Sequence, residues 1–178
     1  MLCQPQSKNE INCYFREPTL IMKKKVTNIG IAVLICLLIG FLSSFATQSS
    51  VNTWYTTLNK PSFNPPNAVF APVWTVLYIL MGVAAGIVWS KGFHHIWVKT
   101  ALYHFGFQLL FNALWSIVFF GFQNPFWALI VILVLLILIL LTIRWFRVVS
   151  KLAALLLIPY LLWVGFATLL NFSIWRLN

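Results

Sequence analysis

The chain has 178 residues, of which 61% are hydrophobic and only 8% charged, and its formal net charge is +10. A soluble domain is about a quarter charged, and a soluble fold of this length could not hide so much apolar surface, so lipid must cover much of it. Twelve Lys and Arg stand against two acids, Glu10 and Glu17, and from Pro18 to Asn178 there is no Asp or Glu. The basic balance does not point to nucleic acid, because no basic stripe with interleaved aromatics exists outside the apolar segments.

The first 21 residues are polar and unpatterned and hold both acids. Met22 then opens Met22-Lys23-Lys24-Lys25 and an apolar run, so 1–21 reads as a disordered tail or a misassigned start, and 22–178 as one membrane domain. A spanning helix needs about 20 mostly apolar residues. Five segments qualify, at about 28–48, 70–90, 98–120, 125–146 and 152–174. In lipid the backbone must satisfy its own hydrogen bonds, and Val131 to Leu141 is unbroken Leu, Ile and Val rather than alternating, so these are helices and not barrel strands. The fold class expected is an all-α membrane protein, a bundle of five transmembrane helices. The first segment is too long for a signal-peptide core.

The connection 49–69, with Pro61, Pro65, Pro66, Trp54 and Tyr55, reads as an ordered loop holding a turn or short helix that packs on the bundle. Pro159 is expected to kink the fifth span. Gly82 and Gly86 have the spacing that allows close helix approach, within the bundle or between copies. An inside N-terminus places Lys23, Lys24, Lys25, Lys91, Lys99, Arg144, Arg147 and Lys151 inside, with only Lys60 and Arg176 outside. The positive-inside rule therefore predicts N-inside, C-outside, with the long loop outside.

Trp89, Trp97, Trp127, Trp145 and Trp175 lie at span ends, where indoles favour the headgroup interface. Trp74, Trp115 and Trp163 lie deeper, about 6, 8 and 16 Å below the outer ends of their helices at ~1.5 Å per residue. Tyr78 sits one turn from Trp74. Gln108, Asn112 and Trp115 share one face of the third span, and Asn171 shares a face of the fifth with Trp163 and Ala167. Polar groups inside spans face the bundle interior, where they either bond neighbouring helices or meet a ligand. His104 lies near the inside end, away from the tryptophan cluster, and suits an interface hydrogen bond better than haem ligation. Cys3, Cys13 and Cys36 have no metal spacing and, being odd in number, give no disulfide framework. No carboxylate pair, triad or phosphate loop is present. What remains is an aromatic pocket with few polar groups, suited to a flat hydrophobic ligand.

Four ordered stretches carry a resemblance. They are Trp54-Tyr55 with Leu58-Asn59-Lys60-Pro61-Ser62-Phe63-Asn64-Pro65-Pro66; Phe70-Ala71-Pro72-Val73-Trp74 to Gly82; Gln108 to Ser116; and Ile158-Pro159-Tyr160-Leu161-Leu162-Trp163 to Asn171, with Ile174-Trp175. Over roughly 28–178 the chain resembles the TspO / translocator protein family of tryptophan-rich sensory proteins (peripheral benzodiazepine receptors). The resemblance implies a five-helix bundle, commonly a homodimer; the Met22-Lys23-Lys24-Lys25 opening is that of a bacterial membrane protein, so a bacterial cell membrane is expected. The resemblance also implies a pocket under the first loop that takes porphyrins such as protoporphyrin IX or haem, with no cofactor required. The family's ligand-binding residues map onto Trp54, Trp74, Tyr78, Asn112, Trp115, Trp163 and Ala167. The animal proteins' sterol motif needs a Tyr between an apolar and a basic residue; here Phe172 stands between Leu170 and Arg176, so the hydroxyl is missing. The functions implied are a tetrapyrrole-binding sensor or regulator, a carrier of porphyrin or a lipid-like ligand, or a light-dependent enzyme that degrades protoporphyrin IX through its tryptophans rather than through acids and bases. The partners expected are the ligand, membrane lipid and a second copy, and no nucleic acid.

Overall fold

A computed structural model describes the backbone of residues 2–7, 10–14 and 18–178, and side chains from Met22 onward except Ala46 and Ser49. β1 (Leu2–Ser7) and β2 (Glu10–Tyr14) pair as an antiparallel ribbon. The stretch 1–21 is the one read from the sequence as a disordered tail or a misassigned start; its residues 1, 8, 9 and 15–17, and all its side chains, lie outside the described residues.

From Pro18 the chain is helical: α1 (Pro18–Val51), α2 (Trp54–Thr57), α3 (Asn67–Trp89), α4 (Ile96–Ser116), a wide π-helical turn (Ile117–Gly121), α5 (Pro125–Val149), α6 (Lys151–Leu156) and α7 (Ile158–Leu177). Among the described residues, five stretches are long and apolar enough to cross a membrane: Met22–Phe45, Asn67–Trp89, Ile96–Gly121, Pro125–Val149 and Lys151–Leu177. These are the five expected spans, each with its ends shifted by a few residues.

Local chemistry sets the boundaries. Asn124 caps α5 by accepting the Trp127 backbone N–H at 3.2 Å, and Pro125 occupies the first turn, where a missing N–H costs nothing. The fifth span breaks at Leu157, so that Pro159 falls in the first turn of α7 rather than inside a continuous helix. Ser150 caps α6 through the Ala153 N–H at 3.4 Å.

α1 packs mainly on α3, α4 on α5, and α5 on α7, and α6 lies against both α3 and α5. The α1–α3 contact depends on two glycines. A Cβ at Gly82 would fall on the backbone of Val33, and one at Gly86 on the backbone of Ile29. The small-residue spacing on α3 thus serves an approach within the bundle. The core is a continuous apolar column that includes Met81, Val88, Ile132, Leu135, Ile139, Phe146, Tyr160 and Ile174. The outer surface carries Leu34, Leu38, Ile137, Leu140 and Leu162, each at least half exposed, which is the surface that lipid must wet.

The ends of the bundle differ in charge. One end holds the starts of α1 and α4, the α3–α4 turn and the α5–α6 turn, and with them Lys23, Lys24, Lys25, Lys91, Lys99, Arg144, Arg147 and Lys151. The other holds the 52–66 loop, the π turn and the end of α7, with Lys60 and Arg176.

Candidate functional site

At the loop end a cavity of about 580 Å³ lies among α1, α3 and α4, within the size range of small-molecule sites. Its aromatic wall comprises Tyr55, Phe70, Trp74, Tyr78, Trp115 and Phe120. Facing these, α1 contributes Ser43, Ser44, Thr47 and Gln48. The cavity opens sideways between α1 and α3, where the lining residues Phe41, Gln48, Ala71 and Thr75 are exposed.

Tyr78 reaches the cavity because α1 has a glycine opposite it: a Cβ at Gly40 would strike the Tyr78 ring. The Tyr78 hydroxyl donates to Asn112 Oδ1 at 2.6 Å, and Asn112 Nδ2 donates to the Tyr160 hydroxyl at 3.1 Å. This relay ties α3, α4 and α7 together beneath the cavity. Trp115 Nε1 donates to Asn171 Oδ1 at 3.1 Å, and Asn171 Nδ2 donates to the Pro125 carbonyl at 2.8 Å. The Trp115 indole is therefore fixed in place with its polar edge satisfied.

Indoles and phenyl rings form a chain along the wall. Trp74 lies 6.3 Å from Trp115, Trp115 5.6 Å from Phe119, and Phe119 5.7 Å from Trp54, centroid to centroid. Trp74 also meets Tyr78 at 5.8 Å and Tyr160 at 6.4 Å. The π turn delivers Phe119 and Phe120 to this chain: its Phe122 N–H reaches back five residues to the Ile117 carbonyl at 2.9 Å. Such turns recur at functional positions in helices. The Ser50 hydroxyl donates to the Phe120 carbonyl at 2.6 Å, and the Thr47 and Ser116 hydroxyls are 2.9 Å apart, which joins α1 to the end of α4.

The loop closes this end. Asn64 N–H bonds the Pro61 carbonyl at 3.0 Å to form a turn, and the Tyr55 hydroxyl donates to Asn64 Oδ1 at 2.8 Å. Burial pushes the Tyr55 phenol up to about 12, against a smaller downward effect of the Asn64 bond. Lys60 Nζ sits 4.6 Å from the centroid of the Tyr55 ring.

Among the residues singled out from the sequence, Trp74, Tyr78, Asn112 and Trp115 line the cavity. Trp54 stands behind this wall, edge-on to Phe119. Trp163 stands on the far side of Phe70, 6.1 Å away, and 5.6 Å from Phe166. Its Nε1 is buried without a hydrogen-bond partner among the described residues. Ala167 is buried in the core nearby, 7% exposed. Tyr55, read from the sequence only as a loop residue packing on the bundle, completes the site with Gly40, Thr47, Ser116, Phe120 and Tyr160, none of which was named as a site residue. A glycine within a span and a tyrosine beside Pro159 were the available signals.

Elsewhere, His104 Nδ1 lies 2.8 Å from the Thr100 carbonyl, and its ring meets Trp145. Trp97 stacks on Trp145 at 5.8 Å, and Trp127 is 58% exposed, as interfacial indoles are. Gln108 is buried, with its amide nitrogen 3.9 Å from Met81 Sδ and its Oε1 without a partner among the described residues. Among the described residues no three His, Cys, Asp or Glu side chains converge as a metal site would require.

The profile of the TspO/MBR family matches residues 32–176. The tryptophan-rich protein TspO of Chlorobaculum tepidum is 45% identical over 157 residues, covering 88% of this chain and 99% of that protein. The human translocator protein is 42% identical over 128 residues, covering 70% and 75%. The tryptophan-rich sensory protein of Cereibacter sphaeroides is 41% identical over 126 residues, covering 70% and 77%. With its five apolar helices and the family's matched length, the chain is an integral membrane protein that belongs to the TspO/MBR family.

Proposed function

We propose that this protein is a membrane sensor or regulator that binds a tetrapyrrole, protoporphyrin IX or haem, in the cavity at the loop end. The observation that carries this reading is the wall of Trp74, Tyr78, Trp115 and Phe120 facing a strip of α1 hydroxyls. A flat macrocycle stacks on such rings, and polar side arms meet Ser43, Ser44, Thr47 and Gln48. Lys60, held against Tyr55, offers positive charge to a propionate. The sensory role is supported by the name of the Cereibacter sphaeroides relative. The reading includes a bacterial cell membrane, an inside N-terminus, which the crowding of cations at one end favours, and assembly as a homodimer.

The chain of rings from Trp54 through Phe119 and Trp115 to Trp74 favours a second reading, in which light-excited porphyrin is oxidatively degraded, with tryptophans passing electrons to the excited ring and dioxygen as the oxidant. A carrier of porphyrin or a lipid-like ligand is the third. Protoporphyrin IX titrated into the purified full chain in detergent should quench tryptophan fluorescence saturably. Absence of saturable quenching would overturn tetrapyrrole binding. Illuminated samples read by mass spectrometry identify the enzyme if product forms, and uptake into vesicles identifies the carrier.

A further inference from the structure

A second cavity, about 630 Å³, lies on another face of α1, as a groove between α1 and α4. It is lined by Ala32, Cys36, Ile39 and Ser43 on one helix and by Leu102, Gly106, Leu109 and Ala113 on the other, with Trp89 at one end. Its rims, Ile35, Leu42, Leu110 and Ile117, are exposed to the surroundings of the bundle.

Both helix faces continue beyond the groove to a lysine. At about 100° per residue, Lys25, Ala32, Cys36, Ile39 and Ser43 form one stripe on α1. By the same count Lys99, Leu102, Gly106, Ala113 and Ile117 form one on α4. The helices run in the same direction, and their register is fixed where the Ser116 hydroxyl donates to the Ser43 carbonyl at 3.3 Å. Counting back along both helices from that bond brings Lys25 level with Lys99, about 27 Å away at ~1.5 Å per residue. Lys25 is exposed and Lys99 is half-buried, its Nζ 5.9 Å from the centroid of the Phe93 ring. No Asp or Glu occurs from Pro18 to Asn178 to neutralise either charge.

We propose that this groove binds one anionic phospholipid, with an acyl chain along the α1–α4 seam and the phosphate between Lys25 and Lys99. The groove supplies apolar length, the two lysines supply charge at the level where the apolar span gives way to the headgroup region, and Trp89 gives its end an indole of the kind that settles at that interface. A zwitterionic lipid fits the same groove but leaves the two cations without a net negative charge to meet.

The test is native mass spectrometry of the full chain released from detergent containing equal amounts of phosphatidylglycerol and phosphatidylcholine with identical acyl chains. One phosphatidylglycerol should be retained with a preference of about thirtyfold, the scale set by two cations acting on one headgroup. Lys25→Gln with Lys99→Gln should bring the preference below about twofold. Lys23→Gln with Lys24→Gln, which removes equal charge from outside the stripe, should leave it unchanged. A Cβ at Gly106 meets nothing within 4 Å, so Gly106→Leu should fold normally, fill the groove and lower retention at least about fivefold. Equal retention of the two lipids, or a preference that survives the Lys25 and Lys99 changes, overturns the proposal. So does a Gly106→Leu variant that keeps its lipid but loses a dimer present in the parent, which would make the groove an interface between copies.

Discussion

Asn59 in the loop and Asn178 after α7 exchange hydrogen bonds: the Asn59 backbone N–H donates to Asn178 Oδ1 at 2.9 Å, and Asn178 Nδ2 donates to the Asn59 carbonyl at 3.1 Å. Asn59 Nδ2 adds a bond to the Leu177 carbonyl at 3.3 Å. The loop over the cavity is therefore latched to the far helix of the bundle. Asn178→Ala removes two of these bonds at an exposed site, so the expected cost in global stability is small, about 1 kcal/mol. The larger effect should be local. Amide hydrogen exchange at 58–64 should quicken at least several-fold while exchange in α5 stays unchanged; unchanged exchange in the loop would mean that Tyr55–Asn64 alone holds it.

Trp74 lines the cavity, whereas Trp127, in the first turn of α5, is exposed. Trp74→Ala should weaken porphyrin binding by about 1–3 kcal/mol, the cost of losing a buried aromatic anchor. Trp127→Ala should leave affinity within about twofold. Trp163 backs Phe70 rather than the cavity itself, so Trp163→Ala should weaken binding less than Trp74→Ala, through loosening of Phe70. Porphyrin titrations of the three variants, each first checked for helicity and monodispersity, decide this. Equal losses for Trp74→Ala and Trp127→Ala would sink the assignment.

Asn112 is 2% exposed and serves two phenols at once. Asn112→Leu keeps similar volume but strands the Tyr78 and Tyr160 hydroxyls, at a cost of about 1–3 kcal/mol. Tyr78→Phe should cost less, because it removes a partner without stranding both phenols. Thermal unfolding in detergent measures both. If Asn112→Leu is neutral, water has replaced the lost bonds.

Gly86→Leu and Gly106→Leu test opposite environments with the same change. The first drives a side chain into the Ile29 backbone, while the second meets open space. Gly86→Leu should separate α1 from α3 and destabilise the bundle by about 3 kcal/mol or more, beyond the usual cost of overpacking because backbone must move. Gly106→Leu should leave the melting temperature nearly unchanged, since leucine is also the better helix former.

Hydropathy made the five spans legible because lipid imposes one requirement on every residue of a span. The deep positions of Trp74 and Trp115 followed from helix rise alone, and the cavity lies where they meet. Trp163 shows the limit of that reasoning: depth places it in the outer half but does not say which side of Phe70 it occupies, which depends on helix rotation. The reciprocal Asn59–Asn178 latch joins residues 119 apart in sequence, and no local pattern announces such a pair. The kink at Pro159 was foreseen, although the chain breaks two residues earlier, at Leu157, and thereby places the proline where its missing N–H is harmless.

The π turn has one more consequence. Reaching back five residues instead of four, it holds one residue more than an α-helical turn would, so all that follows is out of phase by about 100° with the rest of α4. Deleting a single residue from Ile117–Gly121 would restore phase, swing Phe120 off the cavity wall and draw its carbonyl away from Ser50. The third span is thus effectively two helical segments set at different angles of rotation. One faces the bundle core through Gln108 and Asn112, the other faces the loop through Phe119 and Phe120, and a frame offset of one position lets a single helix answer to both.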